Sequence, residues 1–230
     1  SDGWFIPSFL FSAAIAGVSA TIATAAGLLL ALLLWRLPDA LRTRFMGWKI
    51  PLVLPHMAVA YLVLLTLGGG GIAASIAHHA GFTLPELTQG AWGIDIVLGY
   101  VYKETPFAAL LIGASLLRIN PDLISTARML GAGRLHTFRT VVFPGCAASV
   151  HSSFLILFIY SFGAFDLPFV LGSSWPGMVA LRVYAIWFQR PLAERPLADA
   201  MLMLMLLFSV VFIALYLRIA ERLSAAERRL

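Results

Sequence analysis

Five long apolar windows, separated by short segments that hold most of the charge, constrain this chain more than any other feature. A helix of about 20 mostly apolar residues crosses a bilayer. The windows Ile6–Trp35, Ile50–Leu67, Trp92–Leu117, Cys146–Phe165 and Leu197–Leu217 approach or exceed that length. Charged residues make up 12% of the chain, whereas a soluble domain carries about 25%. In hydrocarbon a backbone satisfies its polar groups within its own helix or in a closed barrel. No barrel-like alternation and no internal repeat is visible, so an all-α integral membrane protein is expected. Pro51 and Pro55 break the second window early. The first window is not expected to be a cleaved leader, because it has no basic n-region and its apolar run is too long.

The charged segments set an orientation. Arg36, Arg42, Arg44 and Lys49 separate the first two windows, and Arg118, Arg128, Arg134 and Arg139 separate the third and fourth. Arg218, Arg222, Arg228 and Arg229 follow the fifth. Gly68 to Ala91 has no Lys or Arg, and Asp166 to Pro196 has Arg182, Arg190 and Arg195 diluted over a longer loop. Lys and Arg mark the cytoplasmic side, which places these basic segments and the C-terminus inside and Ser1 outside. An external start with five spans leads us to expect a sixth helix upstream. Trp35, Trp48 and Trp92 fall near the expected interfaces, where indole rings settle. The net charge of +5 is scattered between spans, so it reads as topology and not as a nucleic-acid surface. A single cysteine, Cys146, excludes an internal disulfide framework.

Pro121 to Pro144 reads as two short helices joined at a turn. Asn120 or Asp122 can cap the first, with Pro121 in its first turn. Leu123, Ala127 and Leu130 form an apolar face, and Gly131 or Gly133 ends the helix. Arg134 to Val142 forms the second piece, and Pro144 starts the next span. An amphipathic elbow of this kind suits docking into a groove.

The spacing is more specific. Gly131 is followed by nine residues and then Val141-Val142-Phe143-Pro144. Ser125-Thr126-Ala127 precedes it at the matching distance, and Ile119 to Leu123 reads INPDL. This resembles the E-A-A-x-x-x-G, nine residues, I-x-L-P loop of the permease subunits of binding-protein-dependent bacterial ABC importers. The type I, polyamine- and iron-like branch is the nearest in pattern. The resemblance runs from the first span through the fifth. It implies one inner-membrane permease domain over residues 1–230, with 118–144 as a cytoplasmic coupling loop within it. It departs at Ser125 and Thr126, which stand where the pattern has Glu and Ala.

The resemblance also implies an assembly: a second permease subunit (the same or different), two ATP-binding subunits and an extracytoplasmic solute-binding protein. Leu123, Ser125, Ala127, Arg128, Leu130, Gly131, Arg134 and Pro144 would then couple to the ATPase. Leu123, Ala127, Leu130 and Gly131 would pack closely, while Arg128, Arg134 and Arg139 would pair with partner acids or lipid headgroups. ATP and Mg would be used by the partners and no cofactor by this chain. The residues agree: neither lysine, Lys49 or Lys103, lies in a G-x-x-x-x-G-K-[ST] loop. No Ser-His-Asp, H-E-x-x-H or paired-carboxylate arrangement is evident, so the chain reads as a transport subunit and not an enzyme. The expected activity is import by alternating access of a small solute of the polyamine, iron, thiamine, phosphonate or oxyanion class. An ion-coupled secondary transporter or channel is the alternative.

Four further residues are pathway or gate candidates. Lys103 and Glu104 lie inside the third window, just before Pro106. Charges at that depth face a bundle interior or an aqueous cavity, so they either line the pathway or fix helix packing. Tyr160 and Asp166 lie in YSFGAFDLPFVLG, which resembles the FGDF-x-x-P-x-x-LG segment of permeases for polyamines and related solutes. There Gly163 would allow close approach, and Asp166 and Pro168 would mark the external end. His78 and His79 are expected in an external loop. His56 and His151, inside spans, are expected to be satisfied by hydrogen bonds between helices. Met201, Met203 and Met205 are expected to face lipid or a partner.

Overall fold

The computed structural model describes residues 3–38, 41, 46–82, 88, 90, 92–172 and 176–227. Ser1, Arg42, Arg44, Arg228 and Arg229, on which part of the expected orientation rests, lie outside them. The described elements are helical: α1 (Phe5–Arg36), a 3-10 turn (Met46–Lys49), α2 (Ile50–Val53), α3 (His56–Leu67), α4 (Ile72–His79) and α5 (Ile94–Leu116). Then come α6 (Pro121–Met129), α7 (Arg134–Thr137), a π segment (Phe138–Val142), α8 (Phe143–Gly163), α9 (Asp166–Leu171), α10 (Val179–Gln189), a 3-10 turn (Leu192–Glu194) and α11 (Arg195–Glu227). Five helical stretches among the described residues are long and apolar enough to cross a membrane: Phe5–Arg36, His56–His79, Ile94–Leu116, Arg134–Gly163 and Leu192–Ile219.

Small residues decide how the helices meet. Ala16, Ala20, Ala23, Gly27 and Ala31 recur along one face of α1 and are buried. That face lies on Ala108, Ala109, Ile112 and Leu116 of α5. Between apolar helices in lipid, contact comes from close packing, which small residues permit. A Cβ at Gly27 would stand 2.5 Å from the Ala108 Cβ. Aromatic rings hold α8 to α11 and α1: Phe158 and Phe212 stack at 4.1 Å, and Phe9 and Phe162 meet edge-on at 5.3 Å. A second buried cluster, with Val59, Ile96, Tyr100, Leu167 and Leu171, joins α3, α5 and α9.

Several expected boundaries change. The second window, Ile50–Leu67, is two helices. Pro51 sits harmlessly in the first turn of α2, and the break falls at Leu54-Pro55. The apolar stretch then continues past a turn at Gly68–Gly71 into α4, so His78 and His79 end a helix and not a loop. His79 Nδ1 is 2.8 Å from the Ser75 carbonyl oxygen. The fourth window begins earlier, because Arg134 to Gly163 runs on continuously through the π segment. The missing N–H of Pro144 removes one helical hydrogen bond, and the backbone responds by widening its turn, with Phe143 N–H donating to the Phe138 carbonyl.

The segment after the fourth window is folded and not an open loop. Asp166 opens α9, whose Leu167, Pro168 and Leu171 are buried against α3 and α5. Gly99 provides the close approach there, since a Cβ on it would meet Leu167 at 2.9 Å. Gly163, expected in that role, has nothing within 4 Å of its Cβ position. The next helix, α10, is stitched to α1 by two serines. Ser8 Oγ donates to the Pro176 carbonyl at 2.7 Å, and Val179 N–H donates to Ser12 Oγ at 2.8 Å. Met201 and Met205, one turn apart on α11, are core residues, and only Met203 of the three is exposed.

Candidate functional site

The elbow between α5 and α8 forms as its residues dictate. Asn120 is the N-cap, its side chain accepting from Asp122 N–H at 2.9 Å, and Pro121 starts the helix. At the other end Gly131 has φ +83°. Gly131 N–H donates to the Arg128 carbonyl at 2.9 Å and Ala132 N–H to the Ala127 carbonyl at 3.0 Å. This pair of bonds is a Schellman stop, which favours glycine at its left-handed position. Gly133, the other candidate, instead caps α7 with extended backbone. Ser125 Oγ donates to the Pro121 carbonyl at 3.1 Å. The residue in the expected carboxylate position is therefore turned onto its own helix.

The elbow has two unlike faces. Leu123 and Leu130 are 56% and 83% exposed, while Ile124 packs inward on the core. A concavity lined by Ala127, Leu130, Gly131, Ala132 and His136 lies at the turn, and the Cβ position of Gly131 points into open space. The structure thus brings Ala127, Leu130 and Gly131 together on one uncharged face, with exposed Leu123 on the same short helix. Arg128 and Arg134 line a different cavity, shared with Arg36 and Thr137. Pro144 lies beyond both, in the first turn of α8.

Inside the bundle, Lys103 and Glu104 part company. Lys103 is buried, and its Nζ donates to the carbonyls of Pro51 at 2.7 Å, Leu52 at 3.2 Å and Leu54. The ammonium satisfies carbonyls freed where α2 ends. Glu104 Oε1 accepts from Ser161 Oγ at 2.8 Å, across to α8. Its Oε2 is buried and has no hydrogen-bond partner among the described residues.

The other two pathway candidates lie nearer the surface. Tyr160 OH and His56 Nε2 are 2.7 Å apart. Asp166, half-buried at the start of α9, is close enough for its charge to act on both. His151 Nδ1 is likewise 2.7 Å from Tyr216 OH. Both intramembrane histidines therefore bond to a tyrosine of another helix. The reading from sequence missed three partners: Ser161, the bond from His56 to Tyr160, and the α2 carbonyls. Only the last left a signal, since Pro55 stands four residues after Pro51 and cannot donate to it.

The family described as binding-protein-dependent transport system inner membrane component matches residues 3–225. The ferric transport system permease protein FbpB of Actinobacillus pleuropneumoniae is 29% identical over 96% of this chain and 32% of its own length. The molybdenum transport system permease protein ModB of Escherichia coli K12 is 30% identical over 56% of this chain and 54% of its length. The chain spans about a third of the length of the ferric relatives it matches. Among solved structures, a bacterial alginate ABC transporter in complex with an alginate pentasaccharide-bound periplasmic protein superposes with a TM-score of 0.81. It shares 17% identity, over 97% of this chain and 80% of the other.

Proposed function

Because the chain belongs to the binding-protein-dependent transport system inner membrane component family, we propose that it is the membrane-spanning subunit of an ATP-driven importer for a small solute. The observation that carries this reading is the elbow at α6 and α7. Its exposed uncharged face, turned by Gly131 at φ +83°, has the shape of an element gripped by another protein. These 230 residues hold no phosphate-binding loop, and in this reading two ATPase subunits using ATP and Mg close on this face. That movement would tilt the spans and switch the pathway between the two sides of the membrane. A second permease completes the pathway, and an external binding protein delivers the solute.

Exposed polar pairs within spans are costly against hydrocarbon and belong on an aqueous cavity or a partner. We assign the His56–Tyr160 pair, with Asp166 close by, to the pathway wall. Lys103 supports the α2–α3 break behind it. Ferric iron, after which two relatives are named, is the first solute to test.

The test is capture of the chain in mild detergent after co-expression with the candidate ATPase, with and without Gly131→Asp. The parent should retain an ATP-hydrolysing subunit. The variant should insert into the membrane, yet lose that subunit or hydrolyse ATP without uptake. An unattached acid at a packed interface loses hydration with nothing in return. Parent-like ATPase retention, stimulated hydrolysis and uptake in the variant would remove the elbow as the coupling element.

A further inference from the structure

We propose that the cavity between the end of α1 and the inner face of the elbow binds the phosphate of an anionic phospholipid headgroup. The cavity, about 370 Å³, is lined by Arg36 from the last turn of α1, Arg128 from the last turn of α6 and Arg134 from the first turn of α7. No carboxylate lines it among the described residues. No hydrogen bond or ion pair joins these three guanidinium groups to a described residue. Three like charges around one small space repel one another, and an anion among them turns that repulsion into attraction. Guanidinium forks match phosphate oxygens in pairs.

The walls say which phosphate. Leu32, Trp35, Ile124 and Val142 supply an apolar and aromatic floor under the arginines. Leu32 lies one turn further into the span than Arg36, so the cavity grades from basic to apolar in the direction of the membrane. A lipid has that gradient; a free phosphate does not. Basic pockets between transmembrane helices are known binders of anionic headgroups. The separate concavity at Gly131, with no Lys, Arg, Asp or Glu in its lining, remains for a protein partner. A lipid held here would tie the elbow to α1.

The experiment uses the chain in its assembled complex, reconstituted in vesicles of phosphatidylcholine alone or of phosphatidylcholine with phosphatidylglycerol. Retained lipid is counted by native mass spectrometry after gentle release. The parent should keep phosphatidylglycerol in preference to phosphatidylcholine. At about the worth of one surface charge each, Arg36→Gln should lower that retention roughly fivefold, and joint replacement of Arg36, Arg128 and Arg134 by Gln roughly a hundredfold. Arg118→Gln, exposed and outside the cavity, should change nothing. Arg36 lies outside the elbow, so its variant decides the question even if the triple variant fails to assemble. Parent-like retention in Arg36→Gln overturns the proposal. Displacement of the lipid by inorganic phosphate assigns the site to a soluble anion and also overturns it. So does loss of the ATPase subunit from the triple variant with lipid retention intact, which would make the arginines a protein contact.

Discussion

Lys103 donates to the carbonyl of Pro51 at 2.7 Å, and that carbonyl is the one that Pro55 leaves without a donor. A helix interrupted inside a membrane must have its freed carbonyls satisfied by a neighbour. Here a single ammonium on α5 serves Pro51, Leu52 and Leu54 together. The cost of burying a lysine and the cost of breaking a helix offset each other.

Lys103→Met should therefore act on stability. Hydrogen bonds to a charged group contribute about 2 kcal/mol each, so the variant should lower the detergent-solubilised melting temperature and the yield of assembled protein. Pro55→Ala restores an N–H opposite the Pro51 carbonyl. Combined with Lys103→Met it should lose less than the sum of the two single changes, as read by thermal unfolding on all four proteins.

Glu104 calls for a different outcome. Its Oε1 accepts from Ser161, and glutamine keeps an acceptor there. Glu104→Gln should leave assembly near the parent level and change uptake per assembled complex. Ser161→Ala, which leaves Oε1 without its donor, should cost about 1–3 kcal/mol of stability. Comparing uptake with the amount of complex separates the two; normal uptake by a poorly assembled Glu104→Gln would make this carboxylate a packing residue.

Gly27 and Gly163 test the packing argument against each other. Gly27→Val places its Cβ where Ala108 stands, 2.5 Å away, and forces α1 from α5. Overpacking of this kind costs about 1–3 kcal/mol or more. Gly163→Ala meets nothing within 4 Å and should stay close to the parent. Fluorescence-detected size exclusion after a heating series reads both.

At Gly131 the backbone, and not space, is limiting. Gly131→Asn tolerates the left-handed turn and should preserve the elbow. Gly131→Val should destabilise it by about 1–2 kcal/mol. Limited proteolysis in the stretch from Arg128 to Arg134 should rise in the valine variant alone.

Orientation is open to direct labelling. On a Cys146→Ala background, Trp92→Cys should react with an impermeant thiol reagent in intact cells, and Arg134→Cys only after permeabilisation. Trp92 is 83% exposed and Arg134 is exposed, so access in the fold does not limit either reaction. The reverse pattern would invert the assignment made from Lys and Arg.

Legible in the residues alone were the membrane class, the presence of five apolar stretches and the elbow, with its cap narrowed to Asn120 or Asp122 and its stop to Gly131 or Gly133. These are local properties: hydropathy over about 20 residues, a side chain that can reach its own backbone, and a glycine that can turn left. What the buried charges do depends on packing between distant helices. The adjacent pair Lys103 and Glu104 gave no hint that one serves carbonyls some fifty positions away and the other a serine on α8. Nor did the local pattern show that the segment from Asp166 folds back as α9 and α10, since its anchors are Ser8, Ser12 and Gly99 on distant helices. The two faces of the elbow were separated by the same cause. Arg128 and Arg134 share a cavity with Arg36 because α1 ends beside them, and the position of one helix end relative to another is set by packing and not by any run of residues.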